Sequence, residues 1–255
     1  MGRILLSANW TNLLVANFET DKEFLESYLP VGTELNDWNG KYFMSLVGFE
    51  FSNTKICGIP SPFYGSFPEL NLRFYVKRKV NDHWRKGVVF IKEIAPSKLI
   101  GTVAGWLYKE NFRALPLKHK IERIDNKMQV VYSIDNGGEA NYISAIIDTD
   151  LVEYDPETLE EFILDHYWGY TKVNKFSTNE FRVIHKPWHI YPAVSFDIKL
   201  NAASLYGKEL RPWLKKPFNI FLADGSETKV TGPIRLQDKY SSHTYYTTNF
   251  AFLTR

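Results

Sequence analysis

The chain has 255 residues, 44% of them apolar and 24% charged, an ordinary balance for a globular protein with a substantial core. With 31 Lys and Arg against 29 Asp and Glu, the formal charge of +2 is too small to suggest a nucleic-acid partner. The one cysteine, Cys57, excludes an internal disulfide and a thiolate metal site; it reads as a small buried apolar residue in a reducing, cytoplasmic setting.

The amino-terminal segment MGRILLSANWTNLLVANF is broken at Asn9, Trp10, Thr11 and Asn12. Its apolar pieces are too short for a signal sequence or a membrane span, and Leu6 stands where a myristoylation signal needs Ser or Thr. No membrane partner is expected. TDKEFLESYLP follows, with Thr20 and Glu23 at capping-box spacing, an apolar stripe of Phe24, Leu25, Tyr28 and Leu29, and Pro30 as the stop.

Aromatics reach 16%, which favours strands. KYFMSLVGFEF, ELNLRFYVK and GVVFIKEI read as strands, the last two separated by a turn at VNDHW. The basic run Lys77, Arg78, Lys79 reads as a solvated strand end. SKLIGTVAGWLYKEN places Leu99, Val103, Trp106 and Leu107 on one helical side. KIERI, MQVVYSI and NYISAII read as strands. DPETLEEFILDHYWGY reads as a helix capped by Asp155, with Pro156 in its first turn and Leu159, Phe162, Ile163, His166 and Tyr167 at helical spacing. FRVIHKPW, VSFDIKL and FNIFLADG complete the strands, and turn chemistry marks DWNGK, RIDNKM, DNGGE and ADGSE. No repeat or linker interrupts the chain, so residues 1–255 read as one domain. Its class is mainly β with a few helices, an antiparallel barrel or sandwich with helices packed outside.

Signatures of the common cofactor and nucleophile motifs are absent: there is no GxGxxG, P-loop, HExxH or GxSxG, and no cofactor is expected. His185 and His189 are four apart in HKPWH, but Pro187 lies between them and no third ligand is near, so no metal is expected and both read as ordinary hydrogen-bonded histidines. Two segments carry more. In SFPELNLRFYVKRK, strand alternation puts Glu69, Asn71, Arg73 and Tyr75 on one face and Leu70, Leu72 and Phe74 on the other. The polar face fits either a solvated surface or one wall of a wet cavity. In LYKENFRALPLKHKIE, Lys118, His119 and Lys120 follow Pro116; a lysine in an apolar pocket can act as a nucleophile toward carbonyls, and three solvated side chains at a strand start are the bland alternative.

These segments, in this order, resemble the acetoacetate decarboxylase-like superfamily, and more closely its uncharacterised YqjF-type family. TDKEFLESYLPVGTELNDWNGKYFMSLVGFEF looks like the family opening, FPELNLRFYV like its Glu-x-Asn-x-Arg strand, and FILDHYWGYT with RVIHKPWHIYPA like its later pattern; GPIRLQ is similar to a late decarboxylase segment. The resemblance implies a β-barrel or cone with a central cavity and peripheral helices. It matches Glu69 to a cavity glutamate, with Asn71 and Arg73 following it inward. It also implies a departure: in the run Glu110 … Pro116-Leu117-Lys118, Leu117 stands where the Schiff-base lysine would be, and Lys118 matches its neighbour. Alternation then turns His119 inward with Leu117 and Lys118 outward, unless a bulge or slip intervenes.

Three functions follow. The first is a protein binding a small carbonyl- or carboxylate-bearing metabolite through Glu69, Asn71 and Arg73, with Tyr75 and His119 beside them and Glu69 as hydrogen-bond partner or general acid/base. The second is a lyase using Lys118 as imine-forming nucleophile. The third is a non-catalytic structural or interaction protein with a vestigial cavity, whose polar strand faces solvent at a rim. By analogy with the superfamily, a homo-oligomer is possible.

Overall fold

The structure is a computed structural model, and it describes residues 2–61, 65–96, 112–150 and 157–237. In chain order the elements are β1 (Ile4–Thr20), α1 (Lys22–Glu26), β2 (Glu34–Leu35), β3 (Tyr42–Ile56), β4 (Ile59–Pro60), β5 (Phe67–Val80), β6 (His83–Ala95) and β7 (Phe112–Ala114). Then come β8 (Leu117–Ile124), β9 (Lys127–Asp135), β10 (Ala140–Asp148), α2 (Leu159–Leu164), β11 (Trp168–Asn174), β12 (Ser177–Ile184), β13 (Ile190–Lys199), α3 (Ala202–Leu205), β14 (Asn219–Thr231) and β15 (Ile234–Gln237). The class is mainly β with few, short helices. Among the described residues no helix is long and apolar enough to cross a membrane.

Neighbouring strands run β12-β11-β6-β5-β3-β1-β14, and β14 pairs back onto β12 through Val183–Val230 and Ile184–Lys229, so the pairing path returns on itself. The pairs are antiparallel except β6 with β7 and β6 with β11, which are parallel. From β14 the sheet continues through β13, β10 and β9 to β8. Two apolar clusters result. The inner one draws Val15, Phe43, Val47, Phe49, Tyr75, Phe90, Phe181 and Phe221 from the circuit, with Leu159 and Ile163 of α2. The outer one joins the opposite faces of β1, β3, β5 and β6 to Met128, Val130, Tyr132, Ile143 and Leu205. β5 is therefore buried on both faces: Leu70, Leu72, Phe74 and Val76 belong to the outer cluster, Phe67 and Tyr75 to the inner one.

Several sequence expectations need correction. The interrupted amino-terminal segment is one 17-residue strand. Its Asn12, at φ 55, sits where the register with β3 slips between Thr11 and Leu14, so the polar interruption is absorbed as a bulge. ADGSE is no turn: it runs within β14, where Gly225 (φ +86) faces Thr11, and a Cβ there would lie 1.9 Å from the Trp10 carbonyl oxygen. Thr20 ends β1, with its hydroxyl donating to the Phe18 carbonyl; α1 starts after Asp21, without a side-chain cap. α2 starts after Thr158, whose Oγ1 accepts from the Glu161 amide, and stops at Leu164, so His166 and Tyr167 leave the helix and Trp168 opens a strand. Cys57 is exposed, in a tight turn at φ 50. Arg78 is not simply solvated: with Arg85 it holds the buried Glu180 carboxylate, at 3.1 and 2.5 Å. The helix read over SKLIGTVAGWLYKEN, Glu110, and the Asp155–Pro156 start all lie outside the described residues.

The two layers meet closely at Gly48. A Cβ there would come 2.5 Å from Cδ2 of Tyr132, whose ring is fixed by its hydroxyl donating to the Asn12 carbonyl at 2.8 Å. Gly48→Ala is therefore expected to destabilise the fold by about 1–3 kcal/mol. An unchanged urea midpoint would show that Tyr132 yields freely.

Candidate functional site

The cross-strand register builds the site. On the inner face, Asn17, Ser45 and Arg73 form one row across β1, β3 and β5, and Val15, Val47, Asn71 and Glu93 form the next, reaching β6; Glu69 stands opposite Phe49 one row further on. Glu93 reaches this face because of a bulge. Leu72 pairs with Lys92 but Arg73 with Phe90, so Ile91 is the extra residue and Phe90 and Glu93 both turn inward. Glu69 and Glu93 are then diagonal neighbours on adjacent strands, within reach for side chains of that length.

The wall is out of water. Glu93 is 2% exposed, Asn71 5% and Glu69 7%, and His166, from the segment after α2, is 6% exposed beside Tyr75. Arg73 is half-buried. One part of the wall is fully partnered. Ser45 Oγ donates to Asn17 Oδ1, so the Tyr75 hydroxyl donates to Ser45; Asn17 Nδ2 donates to Asn219 Oδ1 at 2.8 Å, and Asn219 Nδ2 to Glu160 Oε1 at 2.7 Å. This chain ties the wall to α2. Asn36 Nδ2 donates to His166 Nε2 at 3.0 Å, which leaves the proton of the neutral ring on Nδ1. His166 also packs on Tyr75 and Phe162, with ring centroids 4.8 and 5.0 Å apart.

The other part is unpartnered. Asn71 Oδ1, Arg73 Nε and Glu93 Oε2 are buried with no hydrogen-bond partner, and His166 Nδ1 has only a weak one in the Phe162 carbonyl. Arg73 makes no ion pair among the described residues. Its guanidinium lies 5.8 Å from the centre of the Tyr75 ring. Burial raises the Glu69 carboxyl well out of the ordinary carboxylate range, and the Asn71 amide offsets only part of this. Burial also raises Glu93, and the Glu69 charge raises it further. Burial, then the Arg73 and Lys86 charges, push His166 down to about 3. The site thus has a cationic end at Arg73 and an end where two carboxyls compete for protons.

The other residues singled out from the sequence lie elsewhere. Leu117 is buried in the outer cluster, and His119, on the same face of β8, has Nε2 3.4 Å from Glu50 Oε2. Glu50 shares its face of β3 with Leu46, so the sheet separates His119 from Glu69. Lys118 is exposed. The structure brings together Glu69, Asn71, Arg73 and Tyr75, and does not bring Lys118 or His119 to them. His189 pairs with Asp224 at 2.8 Å, and His185 stacks on Trp188 with ring centroids 3.9 Å apart. Among the described residues no three His, Cys, Asp or Glu side chains gather as a metal would require. Sequence reasoning missed Glu93, His166, Ser45 and Asn17. The one signal for Glu93 was a glutamate inside the apolar run VVFIKEIA.

Residues 7–227 match the model of DUF2071, described as an uncharacterized conserved protein. The uncharacterized protein YqjF of Bacillus subtilis (strain 168) is 27% identical over 192 residues, 74% of each chain. Among solved structures, an acetoacetate decarboxylase-like enzyme from Sphingomonas wittichii RW1 superposes with a TM-score of 0.61 at 13% identity, covering 92% of this chain and 94% of that one. The enduracididine biosynthesis enzyme MppR complexed with pyruvate does so with a TM-score of 0.61 at 10% identity, covering 93% and 92%. At these identities the likeness is one of fold.

The buried groups make stability depend on pH in two opposite ways. Glu69 and Glu93 hold their protons in the folded chain above the ~4.3 at which an unfolded glutamate ionises, so their contribution is complete below that pH and is lost as pH rises toward their folded values. His166 stays neutral when folded, whereas an unfolded histidine protonates below ~6.5, so its contribution is complete above that pH and is lost as pH falls toward 3. Relative to the parent, Glu69→Gln is expected to gain melting temperature from about pH 5 to about pH 8, and His166→Asn from about pH 7 to about pH 5. Melting curves that stay parallel across pH would contradict the buried protonation states.

Proposed function

The chain belongs to the DUF2071 family, and we propose that it binds a small metabolite bearing both a carboxylate and a carbonyl, inside the strand circuit, without a Schiff-base lysine. The carboxylate rests on Arg73, and the carbonyl end reaches Asn71, Glu93 and Glu69. The observation that carries this reading is the set of buried polar atoms without partners on one wall: Arg73 Nε, Asn71 Oδ1 and Glu93 Oε2. Each unpaired atom of this kind costs about 1–3 kcal/mol, and a native fold keeps few of them without a use. Arg73 lacks a carboxylate of its own among the described residues, and its planar fork matches one from a ligand. Tyr75 is a positioning residue here, because its hydroxyl is already committed to Ser45.

The pyruvate complex of MppR makes 2-oxo acids the first ligands to try. The lyase reading through Lys118 gains no support from an exposed lysine on β8. The structural-protein reading, with the polar face turned to solvent, does not fit side chains that are 2–7% exposed.

Isothermal titration against pyruvate and longer 2-oxo acids tests this. Removing the charge-assisted hydrogen bonds in Arg73→Ala should weaken the best ligand by about 10- to 100-fold, with Arg73→Lys in between. Borohydride added with the ligand should leave the mass of the Lys118 peptide unchanged. Undiminished affinity in Arg73→Ala, or a reduced adduct on Lys118, would sink the assignment.

A further inference from the structure

We infer that Glu69 and Glu93 form a proton-transfer pair that enolises a 2-oxo acid held by Arg73, a lysine-free activity resting on the binding reading above. The pair is not merely an acidic cluster. The two carboxyls are diagonal neighbours on adjacent strands, brought to one face by the Ile91 bulge. Glu93 Oε2 and Asn71 Oδ1, both on residues at most 5% exposed, have no partner. No lysine is among the residues that form this wall.

Two like charges cannot easily be held together out of water, so the pair retains one proton between them: one carboxyl is an acid and the other a base. That is the complement enolisation requires. With the ligand carboxylate on Arg73 and the rest of the ligand turned toward the Asn71–Glu93 row, the ketone oxygen is assigned to Glu93 and the adjacent carbon to Glu69. The Glu69 carboxylate takes a proton from the carbon next to the ketone. The C–H electrons form the new C=C bond, the C=O π pair moves to oxygen, and that oxygen takes the proton of Glu93. The product is the enol, with Glu69 protonated and Glu93 ionised, so charge and atoms balance and no co-reactant is needed. The reverse step returns a proton to carbon, and after exchange with solvent that proton carries the solvent isotope. The Arg73 charge, on the carboxylate next to the ketone, favours the electron density that builds on the ketone oxygen before Glu93 protonates it.

The measurement is deuterium incorporation into the methyl group of pyruvate in D2O, followed by proton NMR, with binding of pyruvate measured separately by titration. The parent protein should exchange the methyl protons well above the buffer rate. Glu69→Gln and Glu93→Gln should each lower the rate at least tenfold while still binding pyruvate and melting cooperatively. Protein treated first with pyruvate and borohydride, then freed of both and given fresh pyruvate, should exchange at the parent rate, since no imine is formed to be trapped. Exchange at the buffer rate with binding intact would overturn this inference and leave the binding reading standing. Exchange that survives in both Gln variants, or that is lost after the pyruvate–borohydride pretreatment, would place the chemistry elsewhere. Failure to bind any 2-oxo acid would overturn the binding reading and this one with it.

Discussion

Arg73 carries its charge into an interior furnished by Phe49, Phe90 and Phe162, with no carboxylate opposing it among the described residues. Removing an ion from water is costly unless other groups take the place of solvent, and the neighbours of Arg73 respond to that demand. His166 is held neutral, and His185 is lowered by its own burial and then by the same guanidinium. Tyr75 offers its ring face to the cation and sends its hydroxyl to Ser45. The two carboxyls on the wall are themselves pushed toward the protonated state, so they do not neutralise Arg73 outright. What remains is a half-buried positive charge whose nearest described partner is Tyr75 and which no carboxylate of the described residues opposes.

Such a wall survives because β5 is fastened from behind. Leu70, Leu72, Phe74 and Val76 are at most 1% exposed, and they pack into the outer cluster while their alternates face inward. Burial of four such side chains contributes several kcal/mol, on the order of 1.5–3 kcal/mol each, more than enough to hold a strand whose other face is polar. The buried ion group Arg78–Glu180–Arg85 fastens the far end of the same hairpin to β12. The packed scaffold and the polar wall are thus two sides of one strand. A substitution such as Glu69→Gln therefore alters the wall without removing the packing that shapes it.

The part of this arrangement legible in the sequence is the part where strand alternation runs unbroken. From Phe67 to Val76 the period of two holds, so Glu69, Asn71, Arg73 and Tyr75 could be set on one face from the letters alone. Glu93 could not, because the extra residue at Ile91 shifts the phase just before it. His166 was hidden by helical spacing that continues past Leu164, although the helix does not. β1 was hidden by its polar interruption, which partner strands absorb as a register slip. For β8 the alternation was right, since Leu117 and His119 do share a face. Which layer that face meets depends on β8 pairing with β9 outside the circuit, a tertiary fact that no single strand encodes.

The remaining constraint is access. A cleft of ≈ 620 Å³ lies outside α2, lined by Trp38, Tyr167, His185, Trp188 and Phe162 among others. Phe162 also packs on Tyr75 and His166, so its ring is the partition between that cleft and the polar wall. α2 has only six residues, too few to be stable alone; it keeps its place through Leu159 and Ile163 in the inner cluster and through the Asn219–Glu160 bond. That bond ends the chain which begins at Tyr75. The same hydrogen bonds that orient the wall therefore also hold α2, and with it the Phe162 ring that stands between Tyr75 and the cleft.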